Sequence, residues 1–512
     1  MRDVVEREVK LEAPADFVLP DLSGLPGARA RPLTEVPLDA VYYDTPDLRL
    51  ARSGISVRHR LGDATGWTVK LPEDGPAPGL ARRELTYGGA PGAVPAAITS
   101  LLGAFVRSSP LAPVARLRTR RSVVEVVDAD GARLAEVVDD DVVAEPLPGA
   151  PGAVQDAWDE AGPTPERRFR ELEVEIDERA DARIQKALLR LLRKAGATEP
   201  REQLPKVVRA LGAQAQGPPD LVEPSIGARS SAAEAVRAAV TRSLLRILHH
   251  DPGVRLGDDP EDVHQARVGA RRLRSDLRSF KRLLVTEWRK PLQDELKWLG
   301  DELGAVRDAD VLLERLRGQV TELPERDQGP AAALLGRLEQ QRERARRSLL
   351  ASMRSERYLA LIERLVDAAQ RPQTVPDAAA RAARLLPRLV RKPWKRLARA
   401  ASDLDASSSD AELHQVRIRA KRARYAAEAA SEVVGKPAAR HAKAIARLQS
   451  VLGDHQDAVV AEGWLRDNSR AAPLAAGELL VAQREDEEAA RAAWPAAWKR
   501  ARAKKRRRWL AK

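Results

Sequence analysis

An abrupt change in hydrophobic period near residue 211 constrains the fold of this chain more than any other feature. Up to that point, short segments alternate apolar and polar side chains between Gly, Pro and Asp turns, which is typical of antiparallel strands. After residue 225, apolar residues recur every three or four positions in long Ala-, Leu- and Arg-rich segments, which predicts helices. Residues 212–225 between them are rich in Gly and Pro and show no period. We therefore predict two domains, 1–211 and 226–512, joined by the linker 212–225.

The charge of the chain is divided in the same way. Its formal net charge is +13, but residues 1–210 carry 30 Lys and Arg against 34 Asp and Glu. Residues 211–512 carry the other 58 basic and 41 acidic residues. A strongly basic helical half attracts polyanions, so we expect a polyanionic partner for it.

Several classes of protein are excluded by composition. The 512 residues include no cysteine, which excludes disulfides, thiol nucleophiles and cysteine-ligated metal sites. No apolar run approaches the roughly 18 residues that a spanning helix needs. The first ten residues include Asp3, Glu6 and Glu8 and lack the apolar core of a signal peptide. We expect a cytoplasmic protein with no membrane partner.

The first predicted strand, EREVKLE, places Glu6, Glu8 and Lys10 on one face, because successive strand residues point to opposite sides. Later segments also gather charged side chains on one face, and within each segment these charges have one sign. The same-face groups are Arg58 and Arg60, Lys70 with Thr68, the triplet Arg116, Arg118 and Arg120, and the triplet Glu171, Glu173 and Glu175. Alternation alone would suit an ordinary solvated face. Like charges crowded on one strand face repel, however, and a divalent cation between the carboxylates would relieve the repulsion. Arg and Lys on neighbouring strands would hold phosphate. The pattern favours a metal-bound polyphosphate inside a barrel.

The order of these segments resembles one family. EREVK is followed by YYDTPDLRL, GISVRHR, WTVKLP, RRELTY, LRTRR, AEVVDDD, ELEVE and Lys206. Over residues 1–211 this series is similar to the CYTH domain, the triphosphate tunnel metalloenzymes. The resemblance implies an α+β domain with an eight-stranded antiparallel tunnel, a charged lumen and an apolar outer face covered by helices. One helix is predicted directly, at 181–194, with Gly196 placed to end it.

The resemblance also implies hydrolysis of tripolyphosphate or a related triphosphate with Mg²⁺ or Mn²⁺. By position, the implied catalytic residues are Glu6, Glu8, Lys10, Glu171 and Glu173. The implied phosphate ligands are Lys10, Arg58, Arg60, Lys70, Arg118, Arg120 and Lys206. The implied metal ligands are Glu6, Glu8, Glu171 and Glu173, with Glu136 or Asp139 as a further acidic candidate. Which of Arg83 and Glu84 faces inward stays open.

The helical half contains an internal repeat. VHQARVGARRLRSDL at 263–277 matches LHQVRIRAKRARYAA at 413–427, an offset of 150 residues. LGAVRDADVL at 303–312 matches LGDHQDAVVA at 452–461 at almost the same offset. We predict two similar helix bundles, at about 230–370 and 380–512.

Each repeat contains a basic stripe headed by histidine. The positions 0, 3, 7 and 10 of each stripe fall on one narrow helix face, because each residue turns the helix by about 100°. Although a solvated Arg-rich face is the ordinary interpretation of one such stripe, its recurrence argues for a bound anion along it. Asp308 and Asp457 are the expected acidic partners of these cations.

Residues 226–512 resemble the CHAD domain, the conserved-histidine α-helical domain. The resemblance implies an all-α fold of two pseudo-symmetric four-helix bundles that binds inorganic polyphosphate. The implied polyphosphate-binding residues are His264, Arg267, Arg271, Arg272, Arg274, His414, Arg417, Lys421, Arg422 and Arg424.

Three functions fit these observations. The first is a metal-dependent triphosphatase fused to a polyphosphate-binding domain, with polyphosphate granules as a candidate location. The second is a non-catalytic polyphosphate-binding protein; within the CYTH fold, adenylate cyclase activity is a further alternative, although we see no adenine pocket. The third is nucleic-acid binding, which ranks last because the chain is only 4% aromatic and single-strand binders stack bases on aromatic side chains.

Overall fold

The structure is a computed structural model that describes residues 8–25, 27–63, 65–72, 82–148, 167–177, 180–200, 202, 204–405 and 407–511. The chain divides into two compact units, Met1–Asp220 and Leu221–Lys512. The division falls within the segment 212–225.

The first unit is built on antiparallel strands. They are β1 (Glu8–Ala13), β2 (Arg29–Pro32), β3 (Val36–Asp44), β4 (Ser56–Leu61), β5 (Gly66–Pro72), β6 (Arg82–Tyr87), β7 (Ala112–Val127), β8 (Arg133–Pro146) and β9 (Arg167–Ile176). Five helices accompany them: α1 (Arg49–Arg52), α2 (Ala96–Leu101), α3 (Gly103–Val106), α4 (Ala182–Lys194) and α5 (Lys206–Leu211).

Eight strands form one hydrogen-bonded path in the order β1-β9-β8-β7-β3-β4-β5-β6, and β2 pairs with β7 outside it. This confirms the predicted eight-stranded antiparallel sheet. The sheet is a curled half-barrel: Arg121 on β7 reaches to 3.9 Å from Asp63, which follows β4, across the intervening β3. Among the described strands, β1 and β6 are the two edges of the path.

The two faces of this sheet differ in chemistry. On the outer face, Leu172 and Val174 of β9 pack against Leu188 and Leu192 of α4. The inner face is the one that carries Lys10, Glu173, Asp140 and Arg121. The register establishes this sharing, because Lys10 lies opposite Glu173 and Asp140 lies opposite Arg121. Directly opposite residues point to the same side of a sheet.

Helix α5 packs against one end of the inner face. Its Val207, Val208 and Leu211 join an apolar cluster with Tyr42 of β3 and Leu117 of β7. This packing fixes Lys206, the first residue of α5, close to the inner-face carboxylates.

The second unit is helical. Its helices are α6 (Ala232–Leu256), α7 (Pro260–Ser279), α8 (Thr286–Thr321), α9 (Glu325–Arg354), α10 (Glu356–Gln370), α11 (Ala382–Ser402), α12 (Asp410–Val434), α13 (Lys436–Asn468), α14 (Pro473–Ala501) and α15 (Lys504–Arg507). No helix within the described residues is sufficiently long and apolar to cross a membrane.

The helices repeat the same neighbour relations twice. In the first copy α6 packs on α7, α7 on α8 and α8 on α9, and α11 to α14 do the same in the second copy. The histidine-led segments lie on α7 and α12, which contact each other. The predicted pair of four-helix copies is confirmed, and α10 is an additional helix between them.

Candidate functional site

Three inner-face carboxylates converge on one ammonium group. Asp140 on β8 and Glu171 on β9 are directly opposite each other, and Glu173 lies two residues along β9. The Nζ of Lys206 lies 2.6 Å from Asp140 Oδ2, 2.9 Å from Glu173 Oε1 and 3.4 Å from Glu171 Oε1. The strand register and the start of α5 together make this cluster.

Two further cations, both on strands, join the network. Lys10 Nζ lies 3.0 Å from Glu173 Oε1 and 3.5 Å from Glu171 Oε1. The guanidinium of Arg121 donates to both oxygens of Asp140, at 2.8 and 2.7 Å. This paired geometry orients the guanidinium rigidly, as is usual for Arg and carboxylate.

The network sets the charge states of Glu173, Asp140 and Lys206. Burial opposes the charge on Glu173 most strongly, yet Lys206, Lys10 and Arg121 hold the pKa of Glu173 well below its ordinary value. The pKa of Asp140 is lowered in the same way, by Lys206 and Arg121 against burial. The pKa of Lys206 is raised, because the nearby carboxylates outweigh burial. The carboxylates are therefore ionised and the ammonium protonated at neutral pH.

Arg58, Arg60 and Lys70 form a second cationic group on the inner face, on β4 and β5. Lys70 Nζ lies 2.7 Å from Glu84 and an Arg60 nitrogen lies 3.0 Å from Asp63. The guanidinium of Arg58 donates to Tyr42 Oη at 3.3 Å, and its buried Nε has no hydrogen-bond partner among the described residues. Burial and the charge of Arg58 lower the pKa of Arg60. A phosphate would satisfy these donors.

Arg118 and Arg120 do not join this group, which corrects the expected facing of β7. Both alternate with Arg121 and lie on the outer face, with 53% and 65% of their side chains exposed. Arg118 lies 3.1 Å from Glu145 and Arg120 lies 3.4 Å from Asp141. Arg121 supplies the inner-face cation instead.

Asp139, a predicted metal ligand, also lies on the outer face, opposite Leu172. The guanidinium of Arg170 donates to both of its oxygens at 2.8 and 2.7 Å. The neighbouring Asp140 takes the inner position. Glu136 shares the inner-face register but is 3.0 Å from the guanidinium of Arg133.

The two remaining predicted carboxylates are Glu6 and Glu8. Glu6 lies outside the described residues. The backbone of Glu8 pairs with that of Glu175 in the β1–β9 register. Glu84, left open by the sequence, is on the inner face opposite Lys70. Sequence reasoning missed Arg121 and Asp140, although each is adjacent to a residue that it named.

In the helical unit, Arg267 and Arg271 of α7 meet Arg417 and Lys421 of α12. We call these four residues the stripe cluster. Arg267 lies 2.8 Å from Asp308, and Arg417 lies 3.6 Å from Asp457. The expected acidic partners are confirmed.

The stripe cluster carries uncompensated positive charge. Burial and the charges of Arg417, Arg271 and Arg267 lower the pKa of Lys421 to about 8. Burial and the nearby Arg267 and Arg417 also lower the pKa of Arg271. Among the described residues, neither Lys421 nor Arg271 has an ion pair or a side-chain hydrogen bond. An anion would relieve this repulsion.

The histidines stand beside the cluster. Burial and the charge of Arg307 lower the pKa of His264, so its imidazole is neutral at pH 7. The buried Nδ1 of His414 has no hydrogen-bond partner in the described structure.

The other four predicted polyphosphate ligands lie elsewhere. Arg272 and Arg424 both pair with Glu428, the latter at 2.7 Å, and their charges are therefore compensated. Arg274 and Arg422 are instead electrostatic neighbours of Arg278.

A group of possible metal ligands also occurs in the helical unit, where Asp410, His455 and Glu487 converge. His455 Nε2 lies 3.2 Å from Asp410 and 3.5 Å from Glu487. The guanidinium of Arg491 already pairs with both carboxylates. This arrangement neutralises the acids without a metal.

Comparisons with known proteins agree with the division of the chain into two domains. The CYTH domain model matches residues 5–202 and the CHAD domain model matches residues 238–466. CYTH domains are metal-dependent enzymes, and both domains are linked to the binding of triphosphate or polyphosphate.

One relative spans nearly the whole chain, and two solved structures match about half of it. The uncharacterized protein Rv2226 of Mycobacterium tuberculosis is 34% identical over 490 residues, which cover 92% of this chain and 90% of the relative. PptA from Streptomyces chartreusis is 27% identical with a TM-score of 0.45, covering 53% of this chain and all of that one. The CHAD domain from Ricinus communis is 28% identical with a TM-score of 0.46, covering 55% and 95%. The chain therefore belongs to the family of proteins in which a CYTH domain is followed by a CHAD domain.

Proposed function

We propose that the CYTH domain, residues 1–211, is a metal-dependent triphosphatase that removes the terminal phosphate of tripolyphosphate or a related triphosphate. The CHAD domain, residues 226–512, binds inorganic polyphosphate. The observation that carries the proposal is the inner-face network, in which Lys10, Arg121 and Lys206 surround ionised carboxylates beside a second group of cations.

The carboxylate donors fit a hard divalent cation. Asp140, Glu171 and Glu173 offer only oxygen ligands, which Mg²⁺ and Mn²⁺ prefer. All three carboxylates already lie within 3.4 Å of one cationic group, the Nζ of Lys206. When bound, Mg²⁺ or Mn²⁺ would neutralise phosphate oxygens and lower the pKa of a coordinated water.

The protein side chains have separate roles in this reaction. Arg58, Lys70 and Arg121 bind and orient phosphate oxygens, where charge develops during phosphoryl transfer. Glu173 stays ionised because its pKa is low, so it holds cations and does not protonate the leaving group. The paired Asp140 keeps Arg121 in place.

The stripe cluster supports polyphosphate binding by the CHAD domain. Its cations repel one another, and a phosphate chain carries negative charge along its whole length. Burial of Arg271 and Lys421 makes their interaction with an anion stronger than that of a fully solvated pair.

Phosphate release tests the enzymatic proposal. Tripolyphosphate, longer polyphosphate and ATP are offered to the wild type with Mg²⁺ or Mn²⁺. We expect release from tripolyphosphate to fall about 100-fold in Glu173→Gln, the magnitude typical of losing one preorganised charged group. Glu145→Gln, the same change on the outer face, serves as the control.

Each of the other possible results of this assay supports a different function. Equal rates for wild type and Glu173→Gln would show that the inner face is not the active site. Binding without release would identify a non-catalytic polyphosphate-binding protein. Cyclic AMP formed from ATP would identify a cyclase.

The proposal includes a cytoplasmic location at polyphosphate granules. Fluorescence microscopy of the tagged protein together with a polyphosphate stain tests it, and a signal that never overlaps the granules would contradict it.

A further inference from the structure

A second basic site opens in the helical unit. A pocket of about 920 Å³ lies between the end of α7, helix α11 and the first half of α12. Nine of its lining residues are cationic: Arg278, Lys281, Arg282, Arg388, Lys392, Arg396, Arg399, Arg419 and Arg422. The two acidic lining residues are Asp403 and Glu412, and Glu412 is held by Ser409 in the cap of α12.

These nine cations are not compensated from within the protein. Among the described residues, none of them makes an ion pair or a side-chain hydrogen bond. Burial and the charges of Arg422 and Arg274 lower the pKa of Arg278. The pocket therefore concentrates repulsion that a bound polyanion would remove.

The pocket is separate from the stripe cluster. On α12, Arg419 lies two residues from both Arg417 and Lys421, which places it about 200° around the helix, on the opposite side. The stripe cluster and the pocket thus lie on different faces of α12.

The repeat shows that the cationic character of this pocket is not a consequence of the duplication. The positions of Arg278 and Arg282 are occupied by Glu428 and Glu432 in the other copy, 150 residues along the chain. There Glu428 pairs with Arg272, and Glu432 pairs with Arg242. These equivalent positions are neutralised, whereas the pocket beside α11 keeps its charge.

The pocket wall indicates the chemistry of the ligand. Leu389, Pro393, Leu404 and Val416 line it together with the cations. An inorganic phosphate chain has no apolar part to place against these side chains. Guanidinium planes stack on flat rings as well as binding phosphate. The volume lies in the range of sites for small organic ligands.

We propose that this pocket binds an organic polyphosphate, a molecule of nucleoside triphosphate size that carries several phosphate groups on an apolar, planar moiety. The cations bind the phosphates, and the apolar wall distinguishes this ligand from inorganic phosphate chains.

Calorimetric titration of the full chain with ATP and with tripolyphosphate tests the proposal, without divalent metal so that turnover is avoided. Arg396→Glu reverses one pocket charge, and Arg384→Glu makes the same change on an exposed position of α11 outside the pocket. We expect Arg396→Glu to weaken ATP binding about tenfold or more, since a hydrogen bond to a charged group is lost. Arg384→Glu should leave ATP binding within twofold of the wild type.

The comparison of ligands decides the class. Tripolyphosphate should be affected much less than ATP by Arg396→Glu. Equal losses for both ligands would make the pocket a plain phosphate site and overturn the organic-ligand proposal. ATP binding unchanged in Arg396→Glu and in Lys392→Glu, a second exposed pocket variant, would overturn the site itself.

Discussion

Lys206 shows how the inner face operates at the scale of single residues. A buried ammonium is costly unless its charge is matched, and three carboxylates within 3.4 Å match it. The same three carboxylates would be costly without Lys206 and its neighbours. The acids and bases of this face are therefore one electrostatic unit, in which each member keeps the others charged.

Arg121 provides the sharpest test among these residues. We expect Arg121→Gln to lower kcat/KM for tripolyphosphate about 100-fold, because a phosphate donor and the paired partner of Asp140 are both lost. Arg120→Gln should change it less than twofold, since exposed ion pairs contribute little. Phosphate-release assays of the two variants measure this, and the reverse order would show that β7 presents its other face to substrate.

The sequence could identify these strands but not which face of β7 and β8 is inner. Arg120 and Arg121 are adjacent, as are Asp139 and Asp140, so both faces of each strand carry a suitable charge. A shift of one residue exchanges the faces. Only the pairing of Arg121 with Asp140, and of Asp140 with Glu171, selects between them. Where carboxylates alternate with apolar residues, as Glu171 and Glu173 do with Leu172 and Val174 on β9, the sequence indicates which side is the charged inner face.

Through Lys421, we expect the proposed binding of polyphosphate to depend on pH. Its pKa is about 8, and the anion binds the protonated form. Affinity is therefore nearly constant below about pH 7 and falls as the pH rises through 8, by about tenfold between pH 7 and pH 9. Lys421→Arg remains charged and should abolish the fall. Binding titrations across this range would contradict the account if both proteins behaved alike.

At the scale of elements, the repeated LG segments explain how the stripe cluster is held. Gly304 of α8 lies beneath the guanidinium of Arg267, where an added Cβ would come within 3.4 Å of it. Gly453 of α13 has the same relation to Arg417, at 3.6 Å. Each guanidinium thus lies against the neighbouring helix and reaches the aspartate four residues beyond the glycine.

Gly269 tests the packing of α6 against α7. A Cβ at this position would lie 2.8 Å from a side-chain atom of Ile247 and 2.9 Å from the backbone oxygen of Ser243. We expect Gly269→Ala to destabilise the helical unit by about 1–3 kcal/mol, the usual cost of overpacking. Gly300→Ala on α8, where the space is open, should be neutral or stabilising. Thermal unfolding of both variants checks this, and equal melting temperatures would contradict the packing.

Local elements were more predictable than their arrangement. The helix predicted at 181–194 is observed at Ala182–Lys194, because Asp181 serves as its N-cap and Gly196 has a φ of 110°. Helix α10 was not predicted separately, since its apolar spacing continues that of α9 across Ser355.

At the scale of the whole molecule, the two units present different side chains to the phosphate that we propose they bind. The CYTH domain combines carboxylates with cations, whereas the stripe cluster consists of cations with two partly exposed aspartates. Of these two sites, the inner face is the one rich in carboxylate oxygens, which hard divalent metals prefer. The acidic and basic halves seen in the sequence correspond to this difference.

Removal of metal should therefore separate the two activities. We expect a chelator to abolish phosphate release while leaving long-chain polyphosphate bound to the full-length protein. The bound polyphosphate should instead dissociate with rising salt, because counterions compete for the cations. Filter retention and phosphate release, measured on the same samples, test this. Loss of both activities with the chelator would contradict the division.

The most direct test of the central claim is a crystal structure of the protein with Mn²⁺ and tripolyphosphate, with the metal located by its anomalous scattering. We predict a Mn²⁺ peak in contact with Glu171 or Glu173 and phosphate oxygens within hydrogen-bond distance of Arg58, Lys70 and Arg121. Tripolyphosphate bound at Arg118 and Arg120, with no metal on the inner face, would contradict it.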